Sequence, residues 1–348
     1  MCVIAGYLGK ESAAPILLEM LRREEGLAGG FYTGIVTLHE GVLHHTKVVG
    51  DVETLIRTTP ALELPGTIGL AHSRTPSGGG REWAHPFIDT FEKLAYIANG
   101  ARKPYEAVDF VSVAHRLMER GYSFSSAQKG AQVAKYPMIS EDTCVHFSDI
   151  HCQAIAARYE ELPEAPCRLL HAASQIYQEL PGAIVGLCLH REHPDEIVGV
   201  RHNKPMEMGR LNDGSYVIAS TTLAFPEGVE RYFRAPALSG IRIHRTDGIR
   251  IFPFENRSLV PLGLPPSATA VDAAVVSLLR RKKKVWVHDL LEAVVPLWPE
   301  NELNEKEAVV FPLLAALVKE GRVELCNERV PGWEGNGTAP RTFAIWRE

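Results

Sequence analysis

The chain has little that would suggest a metal site, a membrane span or a polyanion partner. Its 348 residues include six cysteines, at 2, 144, 152, 167, 188 and 326, with no CxxC pairing. That spacing excludes a ribbon-type zinc site and reads as reduced thiols in a cytoplasmic protein. No apolar run approaches the roughly 20 residues of a spanning helix. The N-terminus lacks the basic start and long apolar stretch of a signal peptide. Net charge is −5, so no global attraction to nucleic acid or anionic membrane arises. No repeat or low-complexity segment stands out. What remains is 45% hydrophobic and 23% charged, an ordinary soluble composition, in a chain long enough for two domains.

The pattern along the chain is strands, then helices, then strands. CVIAGYL reads as a first strand, and ESAAPILLEMLRREEG as a helix with a charged end. FYTGIVTLHEGVLHHTKVVG reads as two strands about a turn. GTIGLAHSR and KLAYIANG read as buried strands. YEAVDFVSVAHRLMERGY, EDTCVHFSDIHCQAIAARY and PCRLLHAASQIYQEL read as amphipathic helices. AIVGLCLHREHPDEIVGVRHN and GIRIHRTDGIRIF are hairpin-like, with SYVIAST a strand between them. This order suits layered antiparallel sheets with outer helices, an α+β arrangement. A Pro-rich linker over 261–268 separates residues 2–260 from 269–348. The last part shows three helical segments and two β-like runs, a pattern that resembles a winged helix.

Chemistry concentrates at the start. If Met1 is removed, Cys2 carries a thiol and a free α-amine, whose reference pKa of about 7.7–8.0 suits a general base. Two further stretches give Cys2 companions. GLAHSRTPSGGGREWAHPF places Arg74 at a strand end beside a Gly-rich loop, and LAYIANG places Asn99 and Gly100 at the exit of an apolar strand. Taken singly these have simpler readings: Arg74 as a surface ion pair, Asn99-Gly100 as a hairpin turn, Asp142 as a helix N-terminal acid.

Together with MCVIAGYLG, these stretches resemble the class II glutamine amidotransferases, whose patterns are MCGIVGYIG, GLAHTRWATHGG with NAHPH, and a strand ending HNG. Within that family the resemblance is nearest to the glutaminase domain of glucosamine-6-phosphate synthase (glutamine–fructose-6-phosphate transaminase). SEDTCV is similar to its SETDTEV, and the segments through about residue 255 follow in order. The resemblance implies a four-layer αββα N-terminal-nucleophile hydrolase sandwich, with no cofactor and no metal. It implies Cys2 as nucleophile and base, and Asn99 and Gly100 as oxyanion hole. Arg74, helped by Ser77, would take the substrate α-carboxylate, and Asp142 its α-ammonium. His85 would organise the loop.

The sequence also departs from the family. Val3 replaces a glycine, Thr75 a tryptophan, Gly78 a histidine, and Ala98 the histidine before the asparagine. The arginine of the family's RGYDSAGI has no counterpart in GGFYTGIV. The two sugar-isomerase domains of the synthase are not read in residues 269–348, so ammonia would go to a separate synthase or sugar-isomerase subunit. Self-association is left open. Residues 265–348 carry eleven Lys/Arg and twelve Asp/Glu, which disfavours DNA as a partner. A second reading is a catalytically degenerate, amino-acid-binding regulator acting through its winged-helix-like domain.

Overall fold

Strands that are apolar on both faces must be covered on both sides, and this chain has several. In the computed structural model, which describes residues 2–76, 78–101, 108–130, 136–255, 263–300, 302, 304–332 and 337–347, they form the centre of two stacked sheets. The chain begins with β1 (Val3–Leu8), α1 (Ala13–Glu24), the hairpin β2 (Tyr32–His39) and β3 (Val42–Val49), and α2 (Val52–Thr58). Then come β4 (Ile68–Arg74), β5 (Phe87–Ile88), β6 (Leu94–Ala101) and α3 (Phe110–Glu119). A small ribbon, β7 (Gln128–Lys129) and β8 (Thr143–Cys144), leads into α4 (Phe147–Glu161) and α5 (Arg168–Glu179). The strands resume as β9 (Ala183–His190), β10 (Glu196–Arg201), β11 (Glu207–Leu211), β12 (Tyr216–Ala219), β13 (Val229–Arg234), β14 (Ser239–His244) and β15 (Gly248–Pro253).

One sheet has the order β13-β11-β12-β1-β4-β2-β3, and the other β15-β14-β10-β9-β6-β5, with all pairings antiparallel. Ile4, Leu70, Ile97, Leu187, Ile218 and Ile241 fill the space between them. Outside the first sheet lie α1 and α2, over Val3, Ala5, Leu17 and Leu21. Outside the second lie α3, α4 and α5, over Tyr96, Ile150, Leu170 and Val198. The layers therefore run helices, sheet, sheet, helices.

Two helices differ from the sequence reading. Helix α4 starts at Phe147 rather than near Glu141, because His146 closes its first turn by accepting from the Ser148 N–H at 3.1 Å. It is buried nearly all round rather than amphipathic, since α3, α5 and β6 enclose it. Its buried Asp149 accepts from the Ser126 amide at 2.9 Å and hydroxyl at 2.8 Å. Helix α2, which apolar spacing did not reveal, is started by Asp51, whose Oδ1 accepts from the Thr54 N–H at 2.9 Å. As expected, Asn99 and Gly100 lie at the end of an apolar strand, paired to Val185 and Ile184 within β6, and the simpler hairpin-turn reading does not hold.

The remaining elements are α6 (Ala268–Lys282), β16 (Lys284–Trp286), α7 (Val287–Val294), α8 (Lys306–Lys319), β17 (Val323–Pro331) and β18 (Thr338–Trp346). Residues 261 and 262 of the expected linker lie outside the described residues. The three helices and the sheet β16-β18-β17 share a core of Val275, Leu279, Leu290, Phe311 and Leu314, which Leu27 also enters. Buried Glu307 pairs with Lys204 at 3.2 Å, and Glu305 pairs with buried Arg201. Among the described residues no helix is long and apolar enough to cross a membrane.

Leu187 sits fully buried between the sheets. Leu187→Ala should destabilise the chain by about 2–5 kcal/mol, read as a lowered midpoint in urea unfolding. An unchanged midpoint would place the inter-sheet core elsewhere.

Candidate active site

The first residue of the central strand region and the last turn of β6 meet where the two sheets open. β1 lies between β12 and β4, so Cys2 is held at the centre of its sheet. The Cys2 backbone N–H donates to Asn99 Oδ1 at 3.2 Å, a contact across 97 residues of chain. The other end of that side chain is unusual. Asn99 is 1% exposed, and its Nδ2 finds no hydrogen-bond partner among the described residues. A buried amide donor left unpaired costs about 1–3 kcal/mol, which an anionic oxygen placed there would recover. Cys2 is half-buried, with its Sγ 3.8 Å from Thr75 Oγ1.

Gly100 makes this approach feasible. Its φ is +157°, and a Cβ there would stand 2.2 Å from Ala183 O and 2.6 Å from Ile184 Cα, both backbone atoms. Only a residue without Cβ lets β6 lie this close to β9 beside Asn99.

Behind these groups lies a layer of buried histidines. His72 Nε2–H donates to Ala98 O at 2.9 Å, so β4 of one sheet holds the residue before Asn99 in the other. Burial pushes the His72 pKa down to about 3, which keeps the ring neutral. His85 stacks obliquely on His72 with centroids 4.0 Å apart, and both its ring nitrogens are unpartnered among the described residues. Burial, then the neighbouring His72 and His146, hold His85 well below its ordinary pKa. His85 is therefore held as a neutral ring packed against His72. No three His, Cys, Asp or Glu side chains among the described residues are grouped to hold a metal ion.

Arg74 ends β4 and is only 2% exposed. Its guanidinium donates to Trp83 O at 3.2 Å, Gly78 O at 3.1 Å and Tyr136 Oη at 3.3 Å, and lies 4.6 Å from the Tyr32 ring centre. The loop 78–83 and Tyr136 therefore fold over it. Asp142 lies at an exposed turn before β8, its carboxylate accepting from Thr143 Oγ1 at 2.8 Å and Ser140 Oγ at 2.9 Å. These bonds hold its carboxyl below the usual range. Ser77 lies outside the described residues.

Sequence reading missed a polar hub under Arg74. Glu25 is 3% exposed, and its carboxylate accepts from Ser73 Oγ at 2.6 Å, Thr33 Oγ1 at 2.9 Å and the Val52 N–H at 2.9 Å. Burial pushes its pKa up to about 7 against these donors. The signal was present as Ser73 and Thr33 inside otherwise apolar strands, each needing a partner. Trp83 and Tyr136 were also missed as groups around Arg74. Their signal, aromatics in polar loops, is weak.

Two central antiparallel sheets between helical layers, with a cysteine and an asparagine meeting at their open end, define the fold type of the class II glutamine amidotransferases. The chain superposes on the glutamine phosphoribosylpyrophosphate amidotransferase of B. subtilis with a TM-score of 0.56, at 19% identity over 78% of this chain and 52% of that one. By sequence the chain is a relative of the glutamine–fructose-6-phosphate aminotransferases. It is 30% identical to that of Thermosynechococcus vestitus over 266 residues, 74% of this chain and 37% of the relative. It is 27% identical to that of Bacteroides thetaiotaomicron over 264 residues, 75% of this chain and 38% of the relative. The chain thus spans less than two fifths of the length of these relatives. No protein-family model matches it.

Burial raises Glu25 above its ordinary 4.5 to about 7, so the folded chain holds a proton there that the unfolded chain releases. Its contribution is fully present below about pH 4.5 and is lost as pH rises through about 7, up to about 3 kcal/mol. Urea unfolding across that window should show the stability of the wild type falling relative to Glu25→Gln. Parallel curves would contradict the raised value. Gly100→Ala should lower the melting temperature, because its Cβ would stand 2.2 Å from the Ala183 carbonyl oxygen; an unchanged melting temperature would contradict this close approach.

Proposed function

We propose that the chain is a glutamine amidohydrolase of the glutamine amidotransferase type, in which Cys2 becomes the N-terminal residue after Met1 is removed. The observation that carries this reading is Asn99, which accepts from the Cys2 nitrogen while keeping a buried Nδ2–H that has no partner among the described residues. In the processed chain the Cys2 α-amine takes the thiol proton. The thiolate attacks the glutamine side-chain amide carbon, and the oxyanion formed is received by Asn99 Nδ2 and the Gly100 N–H. The protonated amine gives its proton to the departing nitrogen, ammonia leaves, and water then cleaves the glutamyl thioester to glutamate. Arg74 would release its loop carbonyls to pair with the substrate α-carboxylate, an exchange its planar fork suits. Ser77 would assist, and Asp142 would accept the α-ammonium. The ammonia would pass to an acceptor on another chain, a synthase or sugar-isomerase subunit.

We read α6 to β18 as a winged-helix-like domain that contacts protein rather than DNA. Its eleven Lys/Arg are matched by twelve Asp/Glu, and five of them pair with carboxylates: Lys284 with Glu328, Arg322 with Glu320, Lys306 with Glu292, Arg347 with Glu324 and Arg329 with Asp51. Phosphate contact needs clustered, available positive charge. One observation favours the second reading, a regulator that binds glutamine without turning it over. Arg74 is buried and already held by the Gly78 and Trp83 carbonyls.

The intact mass of the purified chain should lack Met1, and Cys2→Ala should abolish ammonia release from glutamine. Asn99→Ala should lower kcat by about 10²–10³ with little change in KM. Full turnover by Cys2→Ala would end the enzyme reading. Glutamine binding without ammonia release by the wild type would select the regulator.

A further inference from the structure

The C-terminal ribbon does not hang from the rest of the chain but grips the segment that leads to Arg74. Thr342 N–H donates to Gly26 O at 2.9 Å. A Cβ on Gly26 would stand 2.6 Å from Thr342 Oγ1, and one on Gly30 would stand 2.7 Å from Pro340 Cγ. Leu27, between them, is buried in the C-terminal core. Arg329 of β17 pairs with Asp51 at 2.6 Å, and Asp51 is only 4% exposed. A cavity of about 160 Å³ lies along this seam, between Glu25, Asp51 and Val52 on one side and Asn327, Arg329 and Pro340 on the other.

From the gripped segment the contacts run directly to the arginine. Glu25 accepts from Ser73 Oγ at 2.6 Å, and the Gly30 N–H donates to the same oxygen at 2.8 Å. The Phe31 N–H donates to Arg74 O at 3.1 Å. Tyr32, paired with Arg74 across β2 and β4, presents its ring to the guanidinium. Asp51 reaches the same hub, because the next residue, Val52, donates its N–H to Glu25. Arg329 itself is half-exposed, but from Asp51 inward these bonds join buried or part-buried groups with little access to water, so a shift at Asp51 is passed on rather than absorbed.

We propose that the C-terminal ribbon is a positioning element of the amino-acid pocket: through residues 25–32 it sets how Arg74 is held, and so the affinity for the glutamine α-carboxylate. The proposal rests on the reading that Arg74 receives that carboxylate, but it does not require turnover. Arg329 and Glu25 are the positioning residues. Whatever moves the ribbon, including a protein docked on the C-terminal helices, would then change glutamine affinity without touching Cys2 or Asn99.

The test is calorimetric titration of glutamine into the full chain carrying Cys2→Ala, with and without Arg329→Glu, beside steady-state ammonia release from the Cys2-intact pair. Arg329→Glu places a second negative charge against Asp51. It should weaken glutamine binding about threefold to tenfold and raise KM by the same factor, with kcat unchanged within about twofold. Arg329→Lys, which keeps the charge, should restore most of the affinity. Equal affinities for Arg329→Glu and its parent would overturn the proposal, as would a fall in kcat matching the rise in KM. Absence of ammonia release by the Cys2-intact parent, with the affinity shift retained, would remove the enzyme reading and leave this one standing. Failure of the Cys2→Ala parent to bind glutamine would remove both.

Discussion

The structure depends on how the two sheets are held face to face at their open end. Cys2 belongs to one sheet and Asn99 to the other, so the geometry between them is a property of inter-sheet packing rather than of either strand. Two bonds fix it locally: Cys2 N–H to Asn99 Oδ1, and His72 Nε2–H to Ala98 O. Behind them the apolar layer from Ile4 to Ile241 fixes the spacing. A slip of one residue in β6 would turn Asn99 away from Cys2. The neighbouring glycine, pressed on the Ala183 carbonyl, allows little such freedom.

Charge is managed around this point by leaving it out. His72, His85 and His146 are buried, and each is held below its ordinary pKa chiefly by burial. Neutral rings fill space here, His72 donating to Ala98 O and His146 accepting from the Ser148 N–H, without placing a cation beside a thiol. Arg74 and Lys47 are charged groups beside this cluster. The Arg74 guanidinium donates to carbonyl oxygens and a hydroxyl and lies against an aromatic face. A carboxylate bound there would add a charge-assisted partner suited to its planar fork.

Much of the sheet pattern was legible in the sequence because strands buried on both faces leave continuous apolar runs, as in VIAGYL and AIVGLCLH. The candidate residues Cys2, Arg74, Asn99 and Gly100 were legible because they stand at the ends of such runs, where a polar residue or a glycine breaks the apolar pattern. Helix α2 was not, since seven residues with a single cap carry too little periodicity. Helix α4 was misread because a helix enclosed on all sides has no polar face to set its period. Asp142 shows the limit most clearly. Its place in the chain agrees with the family pattern, while its carboxylate rests on local hydroxyls. The Glu25 hub was hidden because its members, at 25, 33, 52 and 73, are brought together only by tertiary structure.

Leu27 gives the C-terminal helices a meaning that their own pattern does not. It lies early in the chain, yet it completes a hydrophobic core built from residues 271 to 344. The glycines around it leave room for Thr342 and Pro340. A module joined only by a linker could be lost or exchanged during evolution without consequence for its host. This one could not, because its removal would leave an apolar side chain and a buried aspartate facing water. The segment 24–31 and the ribbon therefore form one packed unit, in which a change of shape on either side meets the other.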